Sequence, residues 1–447
     1  MSVLLYALGV IAIALGLAVS IALHEVGHLV PAKRFGVRVT QYMIGFGPTI
    51  WSRRRGETEY GIKAIPLGGY IRMIGMYPPH KGDAPGTIRE DSTGFFQQMS
   101  EEAKEWEAAQ YDPAEQHRTF SALSVPKKLT VMLGGPVMNL LLSVLFLAIL
   151  LFGFGMPTTS AQISTVSACV LPASAPADAS CDGMPAAPAA AAGIKPGDVV
   201  TAINGEAVSD FADLSRIIRE HPAQTVTIDL IRDGAPMTVT ATPIANDVVK
   251  FDANGAPVTG PDGAVQTEQA GFLGVSGTPT MERGSITDLP QMLWRTFSGT
   301  ATVVLTLPMR LYDIAVTVVT DQPRDPNGPL GVVGVSRLAG EVASAEVAGF
   351  EMKERTWMLL SMMASLNMAL FVFNLIPLMP LDGGHVLGAL IEGGRRQIAR
   401  LRGRPDPGPV DMSRLLPLTN AVALAFIAMS VLLLYADIVK PITLFGR

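Results

Sequence analysis

Charge is scarce in this chain. Asp, Glu, Lys and Arg supply 16% of its 447 residues, well under the roughly one quarter usual in soluble domains, whereas apolar residues supply 49%. That balance excludes an ordinary soluble protein and indicates a membrane protein. Cysteine is nearly absent. The two present, Cys169 and Cys181, are too few for a thiolate metal cluster or a multi-bridge scaffold. No basic tract with interleaved aromatics occurs and the net charge is only -5, so nothing supports nucleic-acid binding.

Uncharged stretches long enough to cross a hydrocarbon core, which takes roughly 20 apolar residues, run from Val3 to Leu23, Leu129 to Met156, Thr356 to Leu381 and Leu415 to Ala436. The first lacks the basic leader and small-residue cleavage site of a signal peptide. Lys33, Arg34, Arg38 and Arg53 to Arg55 follow the first span; Arg118, Lys127 and Lys128 precede the second; Arg395, Arg396, Arg400, Arg402 and Arg404 separate the third from the fourth. Because cytoplasmic loops carry the Lys/Arg excess, both ends and the region from about 158 to 352 are expected outside the cytoplasm. Cys169 and Cys181 fall in that outer region, where oxidising conditions permit them to pair.

Between the spans the reading is coarser. Residues 33–128 form a cytoplasmic segment with β-type alternation from Tyr60 to Ile65, turn signals at Gly56 and Pro66 to Gly69, and one helix near Glu101 to Gln110. Leu171 to Ala192 is Ala/Pro-rich and reads as an extended loop. A compact module at 160–245 holds a strand ending in Asn204-Gly205, a short helix over Asp210 to Glu220 and a hairpin around Asp233-Gly234. Residues 246–352 read as a linker with isolated strands, followed by an amphipathic surface helix over Gly299 to Thr320. Pro308, Arg310 and Asp313 count against a fifth span there.

The chemistry gathers at two places. His24-Glu25-Val26-Gly27-His28 sets two imidazoles at i and i+4 on one helix face, the spacing that reaches one tetrahedral zinc, with a glutamate beside them as general base. At the end of an apolar span such a cluster costs several kcal/mol without a partner such as a metal. A third ligand is needed. The segment Asn374 to His385 carries Pro377 and Pro380 where a helix would break, and irregular backbone at membrane depth belongs where protein buries it or it lines a cavity. Asp382 is the preferred ligand and His385 its competitor. Both motifs lie towards the C-terminal ends of their spans, so a shared metal requires spans one and three to run in the same direction, as the charge pattern also requires.

HEVGH together with NLIPLMPLDGGH resembles the site-2 protease family of intramembrane zinc metalloproteases, in its bacterial single-PDZ form. The resemblance implies Zn2+ held by His24, His28 and Asp382, catalysis by Glu25, and substrate held by Asn374. It implies a polytopic α-helical membrane protein with four transmembrane helices (1–32, 129–157, 354–393 and 415–437), a membrane-associated β-hairpin, a cytoplasmic basic loop at 394–414 and an extracytoplasmic α+β PDZ domain at 160–245. Residues 134–139 (GGPVMN) resemble the family's second helix. Expected partners are single-span membrane proteins such as anti-sigma factors and an upstream protease making the first cut. The expected location is the inner (plasma) membrane. A metal transporter fits less well, since no internal repeat is visible, and a catalytically dead scaffold sits poorly with an intact HExxH.

Overall fold

The computed structural model describes residues 2–76, 90–92, 113–170, 181, 184–250, 258, 265–320, 322, 324–346, 351–410 and 416–444. The helix expected near Glu101 to Gln110 lies outside the described residues. The chain forms two compact units, residues 1–154 with 285–447, and residues 155–284.

In the first unit, α1 (Ser2–Arg34) is apolar until its last turns, where it buries His24, Glu25, Gly27, His28, Leu29 and Ala32. Gly36, at φ +83°, stops it. The Val37 N–H then bonds back to the Ala32 carbonyl at 3.0 Å, a left-handed glycine cap. Two long strands follow, β1 (Val39–Arg55) and β2 (Thr58–Ile74), with the short β3 (Glu90–Ser92) beside the end of β2. Gln41 to Ile44 pairs with Gly69 to Arg72 and also with Glu59 to Ile62, so the bulged strands fold over into a sheet rather than a simple hairpin. Its inner face, with Val39, Tyr42, Ile71 and Met73, packs on Leu29 and Ala32 of α1 and on Val131 and Met132. Tyr42 Oη also donates to the Ala22 carbonyl of α1 at 2.8 Å. The next span, α2 (Val125–Ala148), begins with proline at its second position, where the missing N–H costs nothing, and runs on as a wider turn through Phe154.

Among the described residues, the second unit has a main antiparallel sheet, a separate two-stranded pair, a single helical turn at Pro188–Ala191 and one longer helix. Its strands are β4 (Met156–Val166), β5 (Val199–Ile203), β6 (Glu206–Ala207), β7 (Val226–Arg232), β8 (Ala235–Ala241), β9 (Ile244–Val249), β10 (Thr267–Phe272) and β11 (Val275–Glu282), and its longer helix is α3 (Phe211–Arg219). The main sheet has the order β11-β4-β5-β7-β8. Leu214, Ile217 and Ile218 of α3 bury against Ile163, Val200, Ile203, Val226 and Ile228. Asp210 caps α3 by accepting from the Asp213 N–H at 2.9 Å. Asp233 and Gly234 both take positive φ, +52° and +80°, as a tight hairpin demands. Arg232 donates to Asp198 at 2.7 Å, and these hydrogen bonds hold the Asp198 carboxyl below its ordinary range.

Among the described residues of 246–282, the strands expected to stand isolated in a linker are paired. β9 pairs with β10, and β11 closes the edge of the main sheet against β4. That pairing joins segments more than a hundred residues apart, which Gly- and Pro-rich local composition does not reveal.

The chain then re-enters the first unit as α4 (Leu289–Leu305), α5 (Leu307–Val319), α6 (Val332–Ser344), α7 (Met352–Asn374), α8 (Asp382–Leu401) and α9 (Leu416–Val439). Among the described residues, four helices, α1, α2, α7 and α9, are long and apolar enough to cross a membrane. The single amphipathic helix expected at 299–320 is instead the pair α4 and α5, bent by 62° at Thr306 just before Pro308. That pair passes the same test as one broken span. Leu289, Met292 and Leu293 pack on Leu147 and Leu150, and Leu311 and Ile314 pack on Leu433 and Ala436 of α9. The 13-residue α6 was not expected. It lies so close to α1 that a Cβ on Gly9 would sit 2.4 Å from the Ala339 carbonyl oxygen. The element expected at 354–393 ends at Asn374, and the basic loop expected from 394 is helical to Leu401; Pro377 and Pro380 divide the helices and the apolar-to-charged change does not.

Cys169 and Cys181 are bonded, with Cα atoms 5.6 Å apart. Alkylation of membrane-isolated protein without reductant should therefore leave both unmodified. Closing so short a loop limits the chain-entropy gain to about 3 kcal/mol. Reduction should lower the thermal stability of the second unit by no more than that, leaving the first unit's transition in place.

Candidate metal centre

Helix periodicity brings His24 and His28 to one face of α1, and their Nε2 atoms approach to 3.2 Å. Asp382 Oδ2 meets them at 3.2 Å from His24 and 3.4 Å from His28. All three residues are buried, and together they are the one group of metal-ligating side chains found among the described residues. Zinc bonds of about 2.0 to 2.2 Å in a tetrahedral site put neighbouring ligand atoms about 3.3 to 3.6 Å apart. The observed triangle of 3.2, 3.2 and 3.4 Å comes within about 0.1 Å of that spacing. Oδ2, moreover, is buried with no hydrogen-bond donor in acceptable geometry, as suits an atom facing a cation.

Asp382 reaches this point because the chain breaks. α7 ends at Asn374, the residues 375–381 turn tightly, and α8 starts at Asp382. A Cβ on Gly383 would lie 2.2 Å from the Ile376 carbonyl oxygen, so only glycine lets the turn tuck beneath the new helix. The carboxylate also sits at the positive end of α8. His385, one turn on and buried, is not in the ligand group. It lines a small cavity with Lys128 and Glu392. Asn374 is half-buried at the end of α7.

Glu25 follows His24 and is also buried. The backbone of β2 passes directly over it: a Cβ on Gly69 would come within 3.0 Å of Glu25 Cγ. The sheet thus borders the centre on the side where a base would act.

Helix α2 supplies parts that sequence reading missed. The Val131 carbonyl accepts from His28 Nδ1 at 2.8 Å, which leaves Nε2 bare for a metal. Asn139, fully buried, lies 3.0 Å from His24 Nδ1. Gly135 stands between them, and a Cβ there would fall 2.2 Å from His28 Nε2 and 2.7 Å from His24 Nε2. Lys128 bonds both oxygens of Glu392 at 3.0 and 2.7 Å, a buried pair tying α2 to α8. The i, i+4, i+8 spacing of Val131, Gly135 and Asn139 is the sequence signal that could have exposed this face.

Gly135→Ala would set its methyl, within the α1–α2 contact, against the ring nitrogens of His24 and His28 rather than against backbone. It should abolish stoichiometric zinc retention, measured by metal analysis of purified protein.

Comparison with known proteins supplies the context for this geometry. The chain is 31% identical to the zinc metalloprotease Rip1 of Mycobacterium tuberculosis over 452 residues, covering 99% of this chain and all of that protein. It is 26% identical to the zinc metalloprotease RasP of Geobacillus kaustophilus over 417 residues, covering 83% and 86%. The pattern of peptidase family M50 spans residues 12–405. With a match over most of its length and a buried His-His-Asp cluster whose histidines lie on a helix apolar enough to span a membrane, the chain belongs to peptidase family M50, the site-2 protease family.

Proposed function

We propose that this protein is an intramembrane zinc metalloprotease that cuts within transmembrane segments of membrane proteins already shortened by an upstream protease, with single-span anti-sigma factors as the substrate class. The observation that carries the reading is the buried triangle of His24 Nε2, His28 Nε2 and Asp382 Oδ2 beside Glu25. His24, His28 and Asp382 hold the zinc. Bound there, the metal supplies Lewis acidity towards the scissile carbonyl. Glu25 takes the proton of the attacking water and passes it to the leaving amine.

A transmembrane helix hides its carbonyls in its own hydrogen bonds, so the substrate must unwind before it reaches Glu25. The passage of β2 over Glu25 at Gly69 supports strand addition along that sheet as the means of holding the unwound backbone. Asn374, at the mouth of the break between α7 and α8, is assigned to the same backbone.

The positive-inside pattern supports a multi-pass protein of the inner (plasma) membrane with basic segments in the cytoplasm. The unit at 155–284, holding the expected PDZ domain, then stands outside and filters substrates. A disulfide within it suits that compartment.

Glu25→Gln should keep zinc and lose cleavage by about 10²- to 10⁴-fold, the usual share of a general base. Proteolysis of a reconstituted substrate at the wild-type rate by that variant would sink the mechanism.

The filter is tested by excision. A Cβ on Gly155 would touch Glu282 at 2.8 Å, so the ends of the unit are adjacent and residues 156–283 can be removed with a short join. The trimmed protein should cut intact substrate that wild type leaves alone. Loss of activity on pre-shortened substrate, in trimmed protein that still binds zinc, would show instead that the unit is needed for productive binding.

A further inference from the structure

We propose that Asn139 is a positioning residue for the metal, presenting its side-chain carbonyl oxygen to a protonated His24 Nδ1 when zinc is bound. The inference rests on the zinc reading given above and goes beyond it, because it assigns the group that sets the protonation state of one ligand.

His28 shows what a ligand requires. A backbone carbonyl can only accept, so the 2.8 Å contact of His28 Nδ1 with the Val131 oxygen fixes the proton on Nδ1 and leaves the Nε2 lone pair for the metal. His24 presents its Nε2 to the same point, 3.2 Å from His28 Nε2 and 3.2 Å from Asp382 Oδ2. It therefore needs the same tautomer, with Nδ1 protonated and an acceptor opposite. What faces Nδ1 is the amide nitrogen of Asn139, at 3.0 Å, and that nitrogen is a donor. With zinc bound this would set two donors head to head. The amide's own acceptor, Oδ1, is meanwhile buried without a hydrogen-bond partner.

A half-turn of the amide exchanges Oδ1 and Nδ2, which are nearly the same size. It removes the donor conflict and satisfies the orphaned oxygen in one step. Asn139 is fully buried. Val131, Gly135 and Asn139 lie four residues apart along α2, and all are buried. One face of α2 thus presents an acceptor to His28, a gap where the metal fits, and an acceptor to His24.

The opposite assignment, in which Asn139 donates to Nδ1 with zinc bound, makes a different prediction for an isosteric carboxylate. Aspartate accepts as well as the amide oxygen does but, ionised, cannot donate. The test measures zinc affinity by chelator competition on purified full-length protein carrying Asn139→Asp or Asn139→Leu. Thermal unfolding of the zinc-free forms is compared alongside, to report folding separately from metal binding. Asn139→Asp should hold zinc as wild type does, whereas Asn139→Leu should bind it about 10- to 100-fold more weakly, the usual effect of losing a partner that orients a ligand. Equal weakening in both variants, or weakening in neither, would overturn the assignment.

Should either variant fail to fold, the nitrogen NMR shifts of His24 in zinc-loaded wild type decide. A proton on Nδ1 supports the inference and a proton on Nε2 ends it. Wild-type protein that holds no zinc at all would overturn the metal reading and this inference together. Zinc-loaded wild type with unaffected variants would overturn this inference alone.

Discussion

The site depends on how closely two helix backbones approach. Gly27 of α1 and Gly134 of α2 face each other so tightly that a Cβ on either would fall 2.0 to 2.2 Å from the other's carbonyl oxygen. Between apolar helices in lipid there is little hydrophobic gain from association, and small residues that let backbones meet are what packing relies on. Here the close contact has a chemical consequence. It brings the Val131 carbonyl and the Asn139 side chain within reach of two imidazole rings that α1 alone could only point outwards, and Gly135 leaves the space between them clear.

Once that approach is fixed, buried ion pairs tie further helices together. Lys128 and Glu392 join the start of α2 to α8, the helix that opens with Asp382. Arg324 and Asp437 do the same near the end of α9. There Asp437 accepts from Arg324 at 2.9 Å and from the N–H groups of Gly331 and Gly334 at 2.9 and 2.8 Å, which secures the start of α6. Breaking such a pair from one side leaves an uncompensated buried charge at a cost of about 3 to 5 kcal/mol. The first pair therefore holds α8, which carries Asp382, against α2.

The polar inventory also clarifies why Asp382 and not His385 joins the two histidines. Both residues lie in the same motif and both are buried. Asp382 is the first residue of α8, where the turn at 375–381 delivers it to the face of α1. His385 is one turn further along, among Lys128 and Glu392. Ligand chemistry left the two in competition, and backbone direction separates them.

Much of the architecture was legible from residue order because it rests on local rules. A run of about 20 uncharged apolar residues has few alternatives to a spanning helix. Histidines at i and i+4 must share a face, and two prolines must interrupt a helix. Those rules gave the four long apolar helices, the pairing of His24 with His28, and the break before Asp382. What the sequence left open depends on distant partners. β11 finds its place where β4 offers an edge, and α6 is a short helix that packs on α1 where Gly9 faces Ala339. The bend between α4 and α5 follows their separate packing on α7 and α9. Asn139 closes a segment whose resemblance to a family helix marked it in sequence without assigning it a partner. Its distance to a histidine 115 positions away is set by helix packing, and packing is a property of the folded whole.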